Sequence, residues 1–238
     1  AIDAGAKRLA AGGRLIYMGA GTSGRIAAQD SAELPPTFAW PVARSVVLMA
    51  GGPSALTEAA EGAEDNEAAA RSALDAAGIG PDDVAIGVAA SGNTPFTLAG
   101  LDHAGAAGAL TIGVYNNGRG RMAAHCAIPI LAETGAEIVA GSTRMKAGTA
   151  QKVVLNTLST GLMIRLGFVY RGRMVEMRPT NTKLEQRAIA MVADLSGAAP
   201  ERAAEALAQA GGSIKLATLM LSRGLDAASA RAALDAAG

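Results

Sequence analysis

Three turns in this chain carry glycines and hydroxyls at spacings that can wrap a compact anion. The first, Gly19-Ala-Gly-Thr-Ser-Gly24, has the letters G-x-G-x-x-G of a dinucleotide fingerprint. That reading also needs an acid at the end of the following strand to hold a ribose. The corresponding residues here are Leu48-Met49-Ala50-Gly51-Gly52. Without the acid, the amides from Gly21 and the hydroxyls of Thr22 and Ser23 suit a phosphate, because unpaired N–H groups and the helix dipole both favour an anion. An ordinary strand-to-helix turn with Ser23 as N-cap fits the same residues. The second turn is Ala90-Ser-Gly-Asn-Thr-Pro95. Ser91 and Thr94, with the amides of Gly92 and Asn93 between them, can surround an anion, while Pro95 presets the first turn of the next helix. Simple N-capping by Thr94 is the alternative. The third is Gly141-Ser-Thr-Arg-Met-Lys-Ala-Gly-Thr149. Here Ser142 and Lys146 join the candidate set. Arg144 and Lys146 fall in the first turns of a helix, where the dipole disfavours cations, so an anion is expected there. Pairing with Glu133 or Glu137 is the competing account.

Two acids accompany these turns. Glu33 stands in Asp30-Ser-Ala-Glu-Leu-Pro-Pro-Thr37, at the end of a helix and before a double proline. Glu64 stands in Glu61-Gly-Ala-Glu-Asp-Asn-Glu67. Both also read as ordinary surface carboxylates near helix ends. Both follow consecutive strand–helix units, so one crevice can receive them. Paired carboxylates at an anion site would serve as general acid and base. His103, His125 and Cys126 show no metal-ligand spacing. No H-E-x-x-H, Walker lysine loop or G-x-S-x-G elbow is present.

The elements that must position these residues alternate. Strands are expected at Leu15–Met18, Val46–Met49, Val84–Ala89, Leu110–Val114 and Ala127–Leu131. Helices are expected near 1–11, 25–32, 64–77, 95–107 and 143–166. Strands that are apolar throughout suit a parallel sheet buried on both faces, with ligands at the C-terminal strand ends. The long helix places Val153, Val154, Leu158, Leu162 and Leu166 on its apolar face. After Arg178-Pro179 the chain turns Ala-rich and helical, with Ile214–Leu221 and then a helix N-capped by Asp226. The fold class is therefore α/β, with residues 1–182 as the catalytic domain and 183–238 as a small helical bundle.

Composition narrows the partners. The chain has 238 residues, 21 basic and 21 acidic, which disfavours a nucleic-acid or anionic-membrane surface. Its single cysteine excludes an intrachain disulfide and fits a cytoplasmic location. No apolar run approaches the roughly 20 residues of a membrane span. Aromatic residues make up 3%, so the core is aliphatic. The chain opens at Ala1 inside a helical pattern, and a preceding segment is expected.

Several strings resemble those of the bacterial N-acetylmuramic acid 6-phosphate etherases. They are Gly12–Arg25, Asp30–Thr37, Glu61–Asp65, Ala89–Gly92, Gly141–Gln151, Val154–Leu166 and Pro179–Lys183, with Gly141–Thr149 the most specific. Glucokinase regulatory protein, a non-enzymatic relative, shares several of them. The resemblance implies a sugar isomerase (SIS) fold, that is a flavodoxin-like three-layer sandwich. It further implies a homodimer, no metal or organic cofactor, and a small phosphosugar substrate. The implied reaction removes D-lactate from N-acetylmuramic acid 6-phosphate in cell-wall amino-sugar recycling. Glu33 matches the family's proton donor and Glu64 its second catalytic acid; Thr22, Ser23, Ser91 and Thr94 fall on its phosphosugar loops. Asn93 stands where many members carry Arg, and Leu34 where Cys is commoner. Members also carry a helical segment before the position of Ala1. Three rival functions share the residues: a phosphosugar-binding regulator, an aldose–ketose isomerase, and a nicotinamide oxidoreductase, the last disfavoured by the missing ribose acid.

Overall fold

The computed structural model describes residues 1–177, 179 and 181–237; Arg178 and Thr180, which belong to the strings above, and Gly238 lie outside the described residues. Two compact units emerge, residues 1–34 with 41–166, and residues 35–40 with 167–238.

The first unit is built on five parallel strands, β1 (Leu15–Gly19), β2 (Ser45–Met49), β3 (Val84–Val88), β4 (Leu110–Tyr115) and β5 (Ile128–Leu131), in the order β2-β1-β3-β4-β5. The chain leaves β1 in one direction for β2 and later builds outward from β3 in the other. The crevice at such a reversal is where open α/β sheets bind ligands. β1 and β3 are buried at every position, as apolar strands in a central place should be. β5 alternates between half-buried and exposed because it is an edge, which corrects the expectation of burial on both faces.

Helices cover both faces: α1 (Ile2–Ala10), α2 (Gly21–Phe38), α3 (Glu67–Ala77), α4 (Pro95–Ala106) and α5 (Lys146–Arg165). Neighbouring residues of β1 assign the faces, since consecutive side chains on a strand point oppositely. Tyr17 reaches Asp30 on α2, whereas the Met18 sulfur lies 2.8 Å from where a Cβ on Gly100 of α4 would stand. α3 packs with α4, and α1 with α5. α1 and α5 approach closely because Gly5 and Gly161 leave room for Leu162 and Ile2.

Three helix limits differ from expectation. α2 continues through Pro35 and Pro36 to Phe38. Each proline removes one helical donor, but both lie in the last turn, where burial of Leu34 and Phe38 holds the backbone. α3 starts at Glu67 with Asn66 as N-cap, accepting from the Ala69 N–H at 2.9 Å. Glu64 therefore sits ahead of the helix in a 3-10 turn, Ala63–Asp65. α5 buries Gln151, Leu155, Leu158, Ser159, Leu162 and Met163. Val153 is 58% exposed, so the buried face is rotated from the expected one.

Two polar clusters fasten the sheet. Asp30 is buried and takes hydrogen bonds from the Tyr17 hydroxyl at 2.8 Å, the Ser159 hydroxyl at 3.0 Å and the Asn156 amide, joining α2, β1 and α5. Tyr17 is thereby kept protonated, its pKa driven well up by burial and by the Asp30 charge. At the opposite strand ends, Asp83 accepts from Arg14 Nε, Nη2 and backbone N–H, and from the Gly80 N–H. Arg14 also donates to the carbonyls of Ala77 and Gly78, at the C-terminus of α3.

The second unit holds a hairpin, β6 (Val169–Tyr170) and β7 (Arg173–Met174), and four helices among the described residues: α6 (Thr182–Ser196), α7 (Pro200–Gln209), α8 (Ile214–Arg223) and α9 (Ala227–Ala237). The hairpin was not anticipated; its two-residue strands are too short to show a period. Met177, Met191, Val192, Leu195, Leu207 and Ile214 lie in one apolar core. Asp226 caps α9 as expected, accepting from the Ser229 N–H at 2.7 Å.

Burial pushes the Asp83 carboxyl up, but the Arg14 and Gly80 donors outweigh it and hold it below the usual range. A depressed carboxyl stabilises the fold above its unfolded value, about 3.9, and that contribution disappears as pH falls through the folded value. Asp83→Asn is therefore expected to cost roughly 2 kcal/mol near neutrality. Urea midpoints of the variant and the parent should converge as the pH is lowered through the acid range.

Candidate functional site at the C-terminal edge of the sheet

α2 begins almost directly on the end of β1, with only Ala20 between them. Two glycines permit this. A Cβ on Gly24 would stand 2.7 Å from the Gly19 carbonyl oxygen and 2.3 Å from the Met49 sulfur. Gly21 takes a φ of 52°, left-handed backbone that glycine adopts without cost. The first turn of α2 thus presents the amides of Gly21, Thr22 and Ser23 at the reversal point of the sheet. Ser23 is buried inside that turn rather than N-capping it. Thr22 reaches toward α5: its methyl lies 3.4 Å from where a Gly148 Cβ would be.

The loop after β3 carries the second set. Ser91 is exposed, and its hydroxyl accepts from the Asn93 N–H at 3.1 Å. Gly92 has a φ of 68° and packs against Gly120, where a Cβ would meet Gly120 Cα and Tyr115 at 3.1 Å. Asn93 is used as a brace: its Oδ1 accepts from the Arg121 N–H and its Nδ2 donates to the Ser91 carbonyl. Thr94 occupies the N-cap position of α4 but makes no side-chain capping bond, so capping does not explain its hydroxyl.

The third loop arrives beside both. Ser91, Asn116, Glu133, Glu137, Thr143 and Ala147 border a crevice of about 640 Å³. The anion at the N-terminus of α5 is internal. Glu137 accepts from the Lys146 N–H at 3.1 Å and the Ala147 N–H at 3.0 Å. Those bonds, the Ala147 one foremost, hold its carboxyl below the usual range. Lys146 contributes its backbone here, while its side chain lies with Arg144, Met145 and Val153 beside a more open groove. Ser142 is half-buried in the turn closed by its N–H on the Val139 carbonyl.

Glu64 borders a second crevice at the same edge, about 370 Å³, together with Gly21, Arg25, Met49 and Ala50. Glu33 does not join it within one chain, and this corrects the expected convergence. α2 leaves the crevice and runs back along the sheet, so Glu33, twelve residues after Gly21, lies roughly 18 Å further down the helix axis. It is exposed there and accepts from Gln29 Nε2 at 3.2 Å. The spacing of acids in sequence carries no information on helix direction, which is why both looked equivalent.

Asn116 and Arg25 were not among the candidate residues, and Glu133 and Glu137 stood only as partners for Arg144 and Lys146. Asn116 had a signal, as the polar residue directly after an apolar strand. It donates to the Ala132 carbonyl and accepts from buried Gln151, fixing the loop that carries Glu133 and Glu137. Among the described residues no group of three His, Cys, Asp or Glu could hold a metal ion, and no helix is long and apolar enough to cross a membrane.

The family model for the glucokinase regulatory protein N-terminal SIS domain matches residues 1–105. The chain is 52% identical over 238 residues to the N-acetylmuramic acid 6-phosphate etherase of Deinococcus radiodurans, covering 100% of this chain and 78% of that one. It is 46% identical over 238 residues to the enzyme of the same name from Mycolicibacterium smegmatis, covering 100% and 80%. Among solved structures, the sugar isomerase domain of an RpiR transcription factor from Sphaerobacter thermophilus is similar in fold at 20% identity and a TM-score of 0.50, covering 70% of this chain and 78% of that one.

The depressed Glu137 carboxyl gives a sign to pH dependence. Its contact with α5 is complete above the ordinary glutamate value, about 4.3, and is lost as pH falls through the lower folded value. The amide resonances of Lys146 and Ala147 should titrate together with a midpoint below that ordinary value. In Glu137→Ala the same two amides should show no such step.

Proposed function

This chain belongs to the N-acetylmuramic acid 6-phosphate etherase family, and from that premise we propose that it releases D-lactate from N-acetylmuramic acid 6-phosphate to leave N-acetylglucosamine 6-phosphate. The observation that carries the reading is that Glu64 and Gly21 border one crevice, at the same sheet edge as the crevice bordered by Ser91 and Thr143. A carboxylate is thereby set within reach of a turn suited to a phosphate.

The chemistry asks for these parts. In the open-chain sugar the C1 aldehyde acidifies the proton on C2. Glu64 as base takes that proton. The electron pair forms a C2–C3 double bond as the ether oxygen leaves C3, and a general acid protonates that oxygen, giving free lactate. Water then adds, its hydroxyl to C3 and a proton to C2. An alkoxide is a poor leaving group, so the acid is as necessary as the base, each contributing about 10²–10⁴-fold. The hydroxyls of Thr22, Ser23, Ser91 and Thr94, with the amides of Gly21, Gly92 and Asn93, hold the phosphate end. Ser142 stands in the neighbouring loop, while Lys146, its N–H held by Glu137 and its side chain at the open groove, adds no side chain to this set. That binding energy positions C2 and C3.

Glu33 is the proposed acid, and its place on α2 sets a condition. It serves a crevice other than that of its own chain, so the active unit is a homodimer in which each copy lends Glu33 to its partner. No organic cofactor or metal enters this reading.

The regulatory-protein model matched over residues 1–105 supports a second reading, a phosphosugar binder without turnover. Incubation with N-acetylmuramic acid 6-phosphate separates the two, since only the enzyme yields lactate; an isomerase would yield a rearranged sugar with its lactyl group intact. Glu64→Gln and Glu33→Gln are each expected to reduce lactate release at least 10²-fold while leaving ligand binding near normal. Co-refolding equal amounts of the two variants should restore about a quarter of parental activity, because half the dimers are mixed and each mixed dimer has one complete site. An inactive mixture would show that Glu33 is not supplied by a partner.

A further inference from the structure

We infer that Arg25 is a positioning residue for Glu64, locking the segment that carries it to the first turns of α2. This rests on the reading of Glu64 as the base.

The segment is residues 50–66, between β2 and α3. Beyond Ala50 it buries little: from 51 to 66 only Ala55 is buried, with Gly52 and Ala63 half-buried. One methyl group does not fix a connection of this length, since every ordered residue opposes folding through its lost backbone entropy. The segment nonetheless folds tightly on itself. Gly51 has a φ of 88°, and a Cβ there would lie 2.5 Å from that of Ala60 and 3.3 Å from that of Ala63.

Arg25 supplies the missing anchor. It follows Gly24 directly and is half-buried. Its Nε donates to the Ala55 carbonyl at 3.1 Å and the Leu56 carbonyl at 3.0 Å, and its Nη2 donates to the Glu58 carbonyl at 2.9 Å. Its side chain borders the crevice shared by Gly21 and Glu64. A planar fork with fixed donor directions can span carbonyls from three residues; an ammonium on a flexible stem cannot hold them in one geometry. One guanidinium thus links the turn suited to the phosphate with the loop bearing the proposed base. Displacing a reacting group by about 1 Å is enough to cost on the order of 10²-fold in rate.

The test uses the 238-residue chain and Arg25→Lys, which keeps the charge and removes the fork, with Arg25→Ala beside it. Amide exchange across residues 50–66 is expected to accelerate in both variants while exchange in β1, β3 and β4 stays unchanged. With N-acetylmuramic acid 6-phosphate as substrate, kcat should fall about 10–100-fold with KM within about threefold. Unchanged protection of residues 50–66 in Arg25→Lys overturns the anchoring. Loosened protection with parental kcat, or a rise in KM alone, overturns the link to Glu64. If the parent chain releases no lactate, the function reading fails, and the exchange measurement still decides whether Arg25 holds the segment. If Arg25→Ala does not fold, Arg25→Lys decides both points.

Discussion

The approach of α2 to the end of β1 governs the whole candidate site. Gly19 and Gly24 meet with no side chain between them, and a single Cβ at either place would collide with the other residue's backbone. Because of that contact the helix opens one residue after the strand. Its unpaired N–H groups then face the point where the sheet reverses direction, next to the loop after β3. Were the turn one or two residues longer, Thr22 could not lie beside Gly148, and the N-terminal ends of α2 and α5 would part. The glycines at these places answer a demand for closeness, not flexibility.

Much of the fold was legible because its signals are local. Apolar runs mark all five strands within a residue or two, and the central β1 and β3 are buried on both faces and show no alternation. Asp226 and Pro95 announced their helices by their own chemistry. What escaped depends on tertiary context. The continuation of α2 through Pro35 and Pro36 relies on buried Leu34 and Phe38, which no local rule reports. The rotation of α5's buried face follows from Gln151 and Ser159, polar residues buried because Asn116 and Asp30 stand opposite them. A pattern counted in apolar letters passes over such partners.

Where the turns fall in the fold was legible, and where the acids fall was not. Hydroxyls and glycines in a strand-to-helix turn are confined to the C-terminal edge of the sheet by the turn itself. A carboxylate on a helix carries no such confinement. Glu64 lies in the connection before α3 and remains at the edge, whereas Glu33 is taken away by twelve residues of α2. Helix length alone therefore decides whether an acid near a phosphate loop in sequence is near it in space.

The anion capacity of the three turns is unequal, and the inequality gives the crevice a direction. At α5 the first N–H groups are already held by Glu137, and in the loop after β3 Asn93 is tied to Arg121 and to Ser91. The first turn of α2 has no acid of its own and receives none from the bonds described here. Thr94 is likewise uncommitted as a cap. On the proposed reading, a phosphate would find its strongest unsatisfied donors between α2 and α4, over β1 and β3. From that anchor a sugar can extend along the edge in either of two directions. Toward β2 it meets Glu64 on a segment held by Arg25. Toward β5 it meets Glu133 and Glu137 across Asn116. Glu137 is engaged at the start of α5, while Glu64 and Glu133 take part in none of the bonds described here; with Glu64 as the proposed base, the reacting carbons are expected on the β2 side of the phosphate, and the polar pocket on the β5 side is left to the rest of the sugar.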